Sequence, residues 1–310
     1  MLADALHSAL VVLLALALDL TAGDPPNRLH PVAWMGRALA AGRRALCRGR
    51  PAALLLGGTA LTLSVMALAA GAGAAVTMVA HAVGIPGLAL EAIALKTAVS
   101  PGGLVRAARS VAAALSRGEL EAGRARLGWH LVSRPTGNLN ADEVASGAIE
   151  SVAENLTDAL VAPLAFYLAL GLPGALAYRA LNTADAMLGY RQGALEHFGK
   201  FPARLDDAAN LLPARLAALA IVIGAGIGAP GAWRIMIRDR RRTASPNAGW
   251  TMSAMAGALD VTLAKPGAYR LGIGRAPGAA DIERSVHILA RAAALSVTGL
   301  LILSVWLQPV

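Results

Sequence analysis

Residues 52–80 read AALLLGGTALTLSVMALAAGAGAAVTMVA, a run without one charged side chain. Apolar sequence continues to Leu95, interrupted only by His81, Glu91 and the break Gly84-Ile85-Pro86-Gly87. A helix of about 20 apolar residues crosses the ~30 Å of bilayer hydrocarbon. The stretch is therefore too long for one crossing, and its glycines suggest where it folds. Two spans, at about 52–74 and 76–95, are expected to form a hairpin near Gly71-Ala72-Gly73, with both ends on the same side.

Four more segments share this character. Residues 2–20 form a first span, since a cleaved signal peptide, the rival reading, would carry a basic n-region that is missing here. Residues 159–177 form a fourth span, crossed by Pro163, Gly171 and Pro173. Such a helix is broken or re-entrant, which is tolerated where protein or a polar cavity covers the freed backbone. Residues 216–233 and 292–308 complete the set. The fold class expected is all-α, a polytopic membrane helical bundle of five to six apolar segments. It forms a single integral membrane domain over residues 1–310, with polar helical insertions on the cytoplasmic side.

Composition agrees with a lipid environment. Of 310 residues, 56% are apolar and 15% charged, against about a quarter charged in soluble domains. The net charge of +9 does not point to nucleic acid, because aromatics are only 4% and the arginines flank apolar runs instead of forming a basic domain. A single cysteine, Cys47, excludes an internal disulfide and a cysteine metal cage. Arginines also give orientation, because Lys and Arg beside short segments stay in the cytoplasm. Arg28 to Arg50, Arg106 to Arg134 and Arg234 to Arg242 all mark that side. Residues 178–210, whose charges balance, leave their side open.

Several polar blocks sit at the edges of these segments. Asn140-Ala-Asp-Glu143 is a capping box that starts a helix from Ala141 to about Thr157. On it Glu150, Glu154 and Asp158 recur every four residues, so three carboxylates share one face, with Asn155 beside them. A solvated face is the bland alternative to a metal or substrate role. Arg179, Asn182 and Asp185 repeat at three-residue spacing, with Thr183 and Arg191 nearby. Arg204, Asp206, Asp207 and Asn210 precede Arg215, which enters the fifth apolar segment and must face protein or a cavity there. Interhelical polar locks would explain any one cluster. Several together supply the oxygen donors that Mg²⁺ takes and the guanidinium groups that clamp phosphate or carboxylate. Ser245-Pro-Asn247-Ala-Gly-Trp250 alone is a turn followed by a helix. Asp24 and His30 lie in a proline-stiffened loop after the first span, where His30 is a ligand, a base or a brace.

Two superficial matches fail. Gly193 to Gly199-Lys200 has the wrong glycine spacing for a phosphate loop, and Phe201 stands where Ser or Thr is needed. Asn138 to Asp142 opens like a calcium loop, but Glu143 occupies the obligatory glycine place. No zincin, nucleophile-elbow or dinucleotide motif occurs.

Five blocks carry a resemblance in order along almost the whole chain. They are Gly23-Asp-Pro-Pro26 with His30-Pro31; Ala148 to Asn155 with Asp158 and Ala162-Pro163; Tyr178 to Met187 with Gly189-Tyr-Arg191; Ala203 to Asp207 with Asn210 and Pro213-Ala-Arg215; and Ser245 to Trp250. Together they resemble the CobD/CbiB family of cobalamin biosynthesis. One departure matters: Arg134-Pro135-Thr136 replaces the family's Arg-Asp-Thr, so no role for an aspartate there carries over.

The resemblance implies a multi-pass enzyme of the cell inner membrane, surrounded by lipid, with its active face cytoplasmic. It implies ATP-dependent amide formation between the propionate of adenosylcobyric acid and (R)-1-amino-2-propanol or its O-phosphate, giving adenosylcobinamide or its phosphate. Corrinoid and aminopropanol are then the small-molecule partners, other late cobalamin-assembly enzymes are candidate protein partners, and no tightly bound organic cofactor is expected. A carboxylate resists amine attack and must be activated, most simply as an acyl phosphate made from ATP with Mg²⁺ neutralising the phosphate oxygens.

On this reading Glu150, Glu154, Asp158, Asp185, Asp206 and Asp207 are catalytic, and Glu154, Asp158, Asp185 and Asp207 are the metal ligands. Arg134, Arg179, Arg191 and Arg204 hold phosphates. Asp24, His30, Asn155, Asn182, Thr183, Asn210, Arg215, Ser245, Asn247 and Trp250 bind or orient substrate. A corrinoid transporter would instead show inverted halves and a mid-membrane polar site, which the hydrophobic pattern lacks. A Mg²⁺-dependent membrane phosphotransferase shares the ligands and differs only in substrate, and a scaffold would not need such specific clusters.

Overall fold

The structure, a computed structural model, describes residues 2–306 and is almost wholly helical. Fourteen helices follow one another: α1 (Leu2–Ala22), α2 (Pro31–Leu46), α3 (Pro51–Val83), α4 (Ile85–Lys96), α5 (Pro101–Ser116), α6 (Leu120–His130), α7 (Ala141–Leu156), α8 (Ala162–Leu188), α9 (Leu195–Phe198), α10 (Lys200–Ala209), α11 (Leu211–Gly224), α12 (Ala229–Asp239), α13 (Ala248–Leu259) and α14 (Ala279–Trp306). A π turn (Thr157–Val161) joins α7 to α8, and a short antiparallel hairpin, β1 (Leu263–Lys265) and β2 (Tyr269–Leu271), precedes α14. Four helical stretches are long and apolar enough to cross a membrane, or six if each of two bent helix pairs is one span. The protein is a polytopic helical bundle. The expected last span, 292–308, lies within α14 except for residues 307 and 308, which fall outside the described residues.

The hairpin expected at Gly71-Ala72-Gly73 does not form. Helix α3 runs unbroken through these glycines for 33 residues, and the chain turns at Gly84 instead, where φ is +70°. Gly73 serves packing: a Cβ there would lie 2.8 Å from the backbone nitrogen of Pro173 on α8. Its missing side chain lets two helix backbones touch, which is the usual reason for glycine between membrane helices. The return through α4 still brings Lys96 to the Asp24 end of α1, where the two side chains pair.

The fifth expected span is also interrupted. Helix α11 ends at Gly224, a 3₁₀ turn follows at Gly226–Gly228, and Pro230 stands in the first turn of α12. Gly226 takes a φ of +57°, which ends the α-helical ladder there. The fourth segment is broken, as its glycine and prolines imply: Gly171 leaves helical geometry at φ +68°, ψ −167°, just before Pro173.

The chain folds as two compact units. One comprises residues 2–100, 162–209 and 300–306, with α3 and α8 packed side by side as its spine. The other comprises residues 101–161 and 210–299. Here α13, buried along almost its whole length, packs against α7, α11 and α12, and β1 covers α7.

Candidate functional site

In the first unit, two polar groupings stand on apolar helices. The loop after α1 holds Asp24, whose carboxylate pairs with Lys96 at the end of α4, accepts from the Ser100 hydroxyl at 3.1 Å, and lies 3.6 Å from His30 Nε2. His30 caps α2, accepting the Val32 N–H through Nδ1 at 3.2 Å. That bond leaves its Nε2 facing Asp24. The contact with His30, and then the Lys96 ammonium, hold the Asp24 carboxyl well below the usual carboxylate range despite its partial burial. Lys96 also lies 3.7 Å from the fully buried Asp19 on α1. Lys96, Asp19 and Ser100 were not evident from sequence; the signal available was a lone lysine ending a long apolar run.

The second grouping joins α8 to α10. Arg179 Nη1 donates to Asn182 Oδ1 at 3.4 Å, and Asn182 Nδ2 donates to the buried Asp206 at 3.4 Å. Thr183 is turned back to the carbonyl of Arg179 at 2.7 Å, a local helical bond, so its hydroxyl is engaged. Asp185 and Asp207 are half-buried, while Arg191 and Arg204 are exposed and make no ion pair among the described residues.

The second unit holds the acidic helix. The capping box forms as expected, with Asn140 accepting from the Glu143 N–H at 2.9 Å and Glu143 accepting from the Asn140 N–H at 2.8 Å. The three carboxylates beyond it differ in exposure. Glu150 is buried, Glu154 exposed and Asp158 half-buried, for two reasons. The hairpin covers Glu150, whose carboxylate accepts from Ser146 at 2.9 Å and from the Tyr269 hydroxyl at 3.0 Å, with Arg134 at 3.7 Å. The π turn then begins at Thr157 and shifts the register before Asp158. Burial, and then Glu150 and Glu154, push the Tyr269 hydroxyl above its ordinary range, so it remains a hydrogen-bond donor. Asn155 donates to the Ser151 carbonyl at 2.9 Å, a bond along its own helix. Asn210, buried, opens α11.

The Ser245 to Trp250 block does more than turn the chain. Ser245 accepts from the Asn247 N–H at 3.2 Å, which starts α13. Gly249 lets the backbone of Arg240 approach, since a Cβ there would meet the Arg240 carbonyl at 2.2 Å. That approach sets the Arg240 guanidinium 4.9 Å from the Trp250 ring centroid, and Arg215 from α11 lies 4.8 Å from the same ring. Arg215 also donates to Asn247 Oδ1. Among the described residues neither guanidinium pairs with a carboxylate. Three residues picked out from sequence, Arg215, Asn247 and Trp250, thus meet, and Arg240, read there as a membrane anchor, joins them. Two cations share one indole without a carboxylate partner, while Arg215 Nη1 also donates to the Leu211 carbonyl at 2.8 Å and Arg240 Nη1 to the Ile237 carbonyl at 2.9 Å.

No solved structure matches the chain. A family model described as CobD/CbiB protein matches residues 12–296. A probable cobalamin biosynthesis protein CobD of Methanothermobacter thermautotrophicus is 42% identical over 84% of this chain and 86% of its own length. A cobalamin biosynthesis protein CobD of Dehalococcoides mccartyi is 42% identical, covering 85% and 86%. A cobalamin biosynthesis protein CbiB of Salmonella paratyphi B is 35% identical, covering 89% and 88%. Every polar block described above falls inside the matched range, and the chain belongs to the CobD/CbiB family.

Proposed function

We propose that the protein acts in cobalamin biosynthesis as a membrane ligase. In this reading it uses ATP to join (R)-1-amino-2-propanol, or its O-phosphate, to the propionate carboxylate of adenosylcobyric acid. The observation that carries the reading is the pair of uncompensated guanidinium groups, Arg215 and Arg240, on Trp250 beside Asn247. Both the triphosphate and the corrinoid carboxylate are anions, and such a pair would hold and orient their oxygens.

Amide formation asks three things of the chain: to hold a phosphate, to bring the carboxylate to it, and to take a proton from the incoming ammonium. Arg134, Arg179, Arg191 and Arg204 are the further phosphate-holding candidates. Asn182 links Arg179 to Asp206 by two hydrogen bonds, which fixes the orientation of the guanidinium. Carboxylate oxygens are the donors magnesium takes; Asp185 and Asp207 are the candidates in the one unit, and Glu154 and Asp158 are the candidates, considered separately, in the other. Bound magnesium supplies charge neutralisation at phosphate oxygens. Glu150 is less suited to meet substrate, enclosed as it is by Ser146, Tyr269 and Arg134. We assign it to bracing the hairpin and Arg134. The arginine-flanked ends of the spans support a cytoplasmic site, where ATP is available.

The test is reconstitution of the full chain in detergent or liposomes with adenosylcobyric acid, ATP, magnesium and either amine, followed by mass analysis of the corrinoid. Product that needs both ATP and magnesium is expected, and the favoured amine identifies the substrate. An unchanged corrinoid, or product formed equally without ATP, overturns the reading. Asp207→Ala and Glu154→Ala, inserted in the membrane at wild-type levels, should abolish product. Full activity in either would remove that residue from the site. Labelling of a cysteine placed at residue 190 in a Cys47-free background tests sidedness, and cytoplasmic labelling is expected.

A further inference from the structure

Within the first unit, a third constellation stands apart from the two groupings described above. His7 on α1, His81 near the end of α3 and Glu91 on α4 each turn one donor atom inward, and the three atoms lie within 4.8 Å of one another. His7 Nε2 is 2.6 Å from Glu91 Oε2, and the two imidazole rings meet edge to face at 6.0 Å. The local sequence builds this arrangement. Gly84, at φ +70°, reverses the chain after α3, and Gly87 lets α4 press against it, since a Cβ there would lie 2.0 Å from the Ala80 carbonyl. The tight corner brings Glu91 back beside His81, and α1 packs along α4 to deliver His7.

A lone carboxylate in this setting is costly. Glu91 is 3% exposed, on an apolar helix, where ionisable side chains persist mainly when they have a partner or a task. A single His–Glu bond would answer the cost, yet it leaves unexplained a second histidine aimed at the same point from a third helix. Two imidazole nitrogens and one carboxylate oxygen are the protein ligands of three-coordinate zinc sites that keep a fourth position open. A tetrahedral ion with bonds of about 2.0–2.1 Å spaces its ligand atoms about 3.3 Å apart. The His7–Glu91 separation of 2.6 Å is below that value and all three atoms lie within 4.8 Å, so a small opening of the His7–Glu91 contact and rotation of exposed His81 would complete the sphere.

We propose that His7, His81 and Glu91 form a binding site for a divalent transition-metal ion of the zinc type, clasping α1, α3 and α4 together. The site is distinct from the residues proposed for magnesium and ATP. His81 stands thirty positions along α3 from Pro51, and at 1.5 Å per residue that is ~45 Å from the helix start that follows the basic loop. Borderline nitrogen donors also favour zinc over magnesium.

The experiment uses full-length protein purified in detergent without a histidine tag and stripped with a chelator. Zn²⁺ binding is then followed by titration calorimetry and by metal content after desalting, with melting temperature as a second readout. One equivalent of zinc per chain and a rise in melting temperature with added zinc are expected. His81→Gln and Glu91→Gln should each lose that equivalent and the thermal shift, while His130→Gln, outside the cluster, should keep both. His81 is exposed, so its replacement leaves the fold in place even if Glu91→Gln does not. Absence of zinc binding by the wild-type chain, or equal binding by His81→Gln, overturns the proposal.

Discussion

Around Lys96 charge is answered by charge. The ammonium is buried, the carboxylates of Asp19 and Asp24 flank it, and Ser100 and His30 take up further bonding capacity of Asp24. Around Trp250 like charges are gathered and left uncompensated, with Arg215 and Arg240 sharing one ring. Both clusters combine charged and polar groups at helix ends, so residue type alone does not separate them. What separates them is the sign of the neighbours: Lys96 is flanked by carboxylates whose removal or exposure would be costly, whereas Arg215 and Arg240 lie over one ring without a carboxylate partner among the described residues. The sharpest way to break the contrast is Lys96→Gln. Removing the cation takes the ammonium from beside the fully buried Asp19 and from Asp24, and should cost on the order of 3–5 kcal/mol. In practice this means a large drop in melting temperature and in the yield of folded protein. The double variant Asp19→Asn with Lys96→Gln should recover part of that loss. A Lys96→Gln protein as stable as wild type would show that the cluster is not a structural lock.

Arg240→Gln should behave in the opposite way. Its half-exposed stacking on the indole is worth about 1 kcal/mol at most, so the melting temperature should barely move. If the guanidinium holds an anionic substrate, kcat/KM should fall roughly 10- to 100-fold, the equivalent of the 1.5–3 kcal/mol of one hydrogen bond to a charged group. Arg215→Lys should also lose activity, because a lysine keeps the charge but not the planar fork or the stacking. A variant that melts early yet turns over normally would place this cluster with Lys96 as a brace.

The sequence made much of this frame legible and hid the rest for identifiable reasons. Apolar character and the Asn140–Glu143 cap are local patterns, set by solvent and by backbone bonds three residues apart; the chain is helical through its apolar stretches and forms the cap as read, but not with the span limits expected for 52–95 and 216–233. The place where residues 52–95 fold back was misjudged because glycine in an apolar run has two uses, turning and close packing. Only the partner decides, and the partner of Gly73 is Pro173, a hundred positions away. The unequal burial of the carboxylate stripe was hidden for a similar reason. A π turn has no side-chain signature, and Tyr269 reaches Glu150 across 119 positions. In the candidate sites, residues within one block, such as Arg179 and Asn182, were found by spacing. Lys96, Arg240, His7 and Glu91 were not, because each acquires its meaning only from a helix remote in sequence.

The smallest expected effect refines the contrast through pH. Asp24 has its carboxyl depressed in the folded state by His30 and Lys96, against an ordinary unfolded value of about 3.9. A depressed folded value means that the unfolded chain takes up the proton first on acidification. The contribution is therefore fully present above about pH 4 and is lost only as pH falls further, toward the folded value. Melting temperature should thus show no dependence from this cluster between neutrality and about pH 5, and should decline below that. Asp24→Asn should lower the neutral-pH plateau and flatten the acid decline, since its amide neither titrates nor pairs with Lys96. Arg240→Gln removes no carboxylate, so it should leave the acid limb of the melting curve in place. An acid decline that survives in Asp24→Asn would assign it to other carboxylates, and would mean that Lys96 draws its compensation mainly from Asp19.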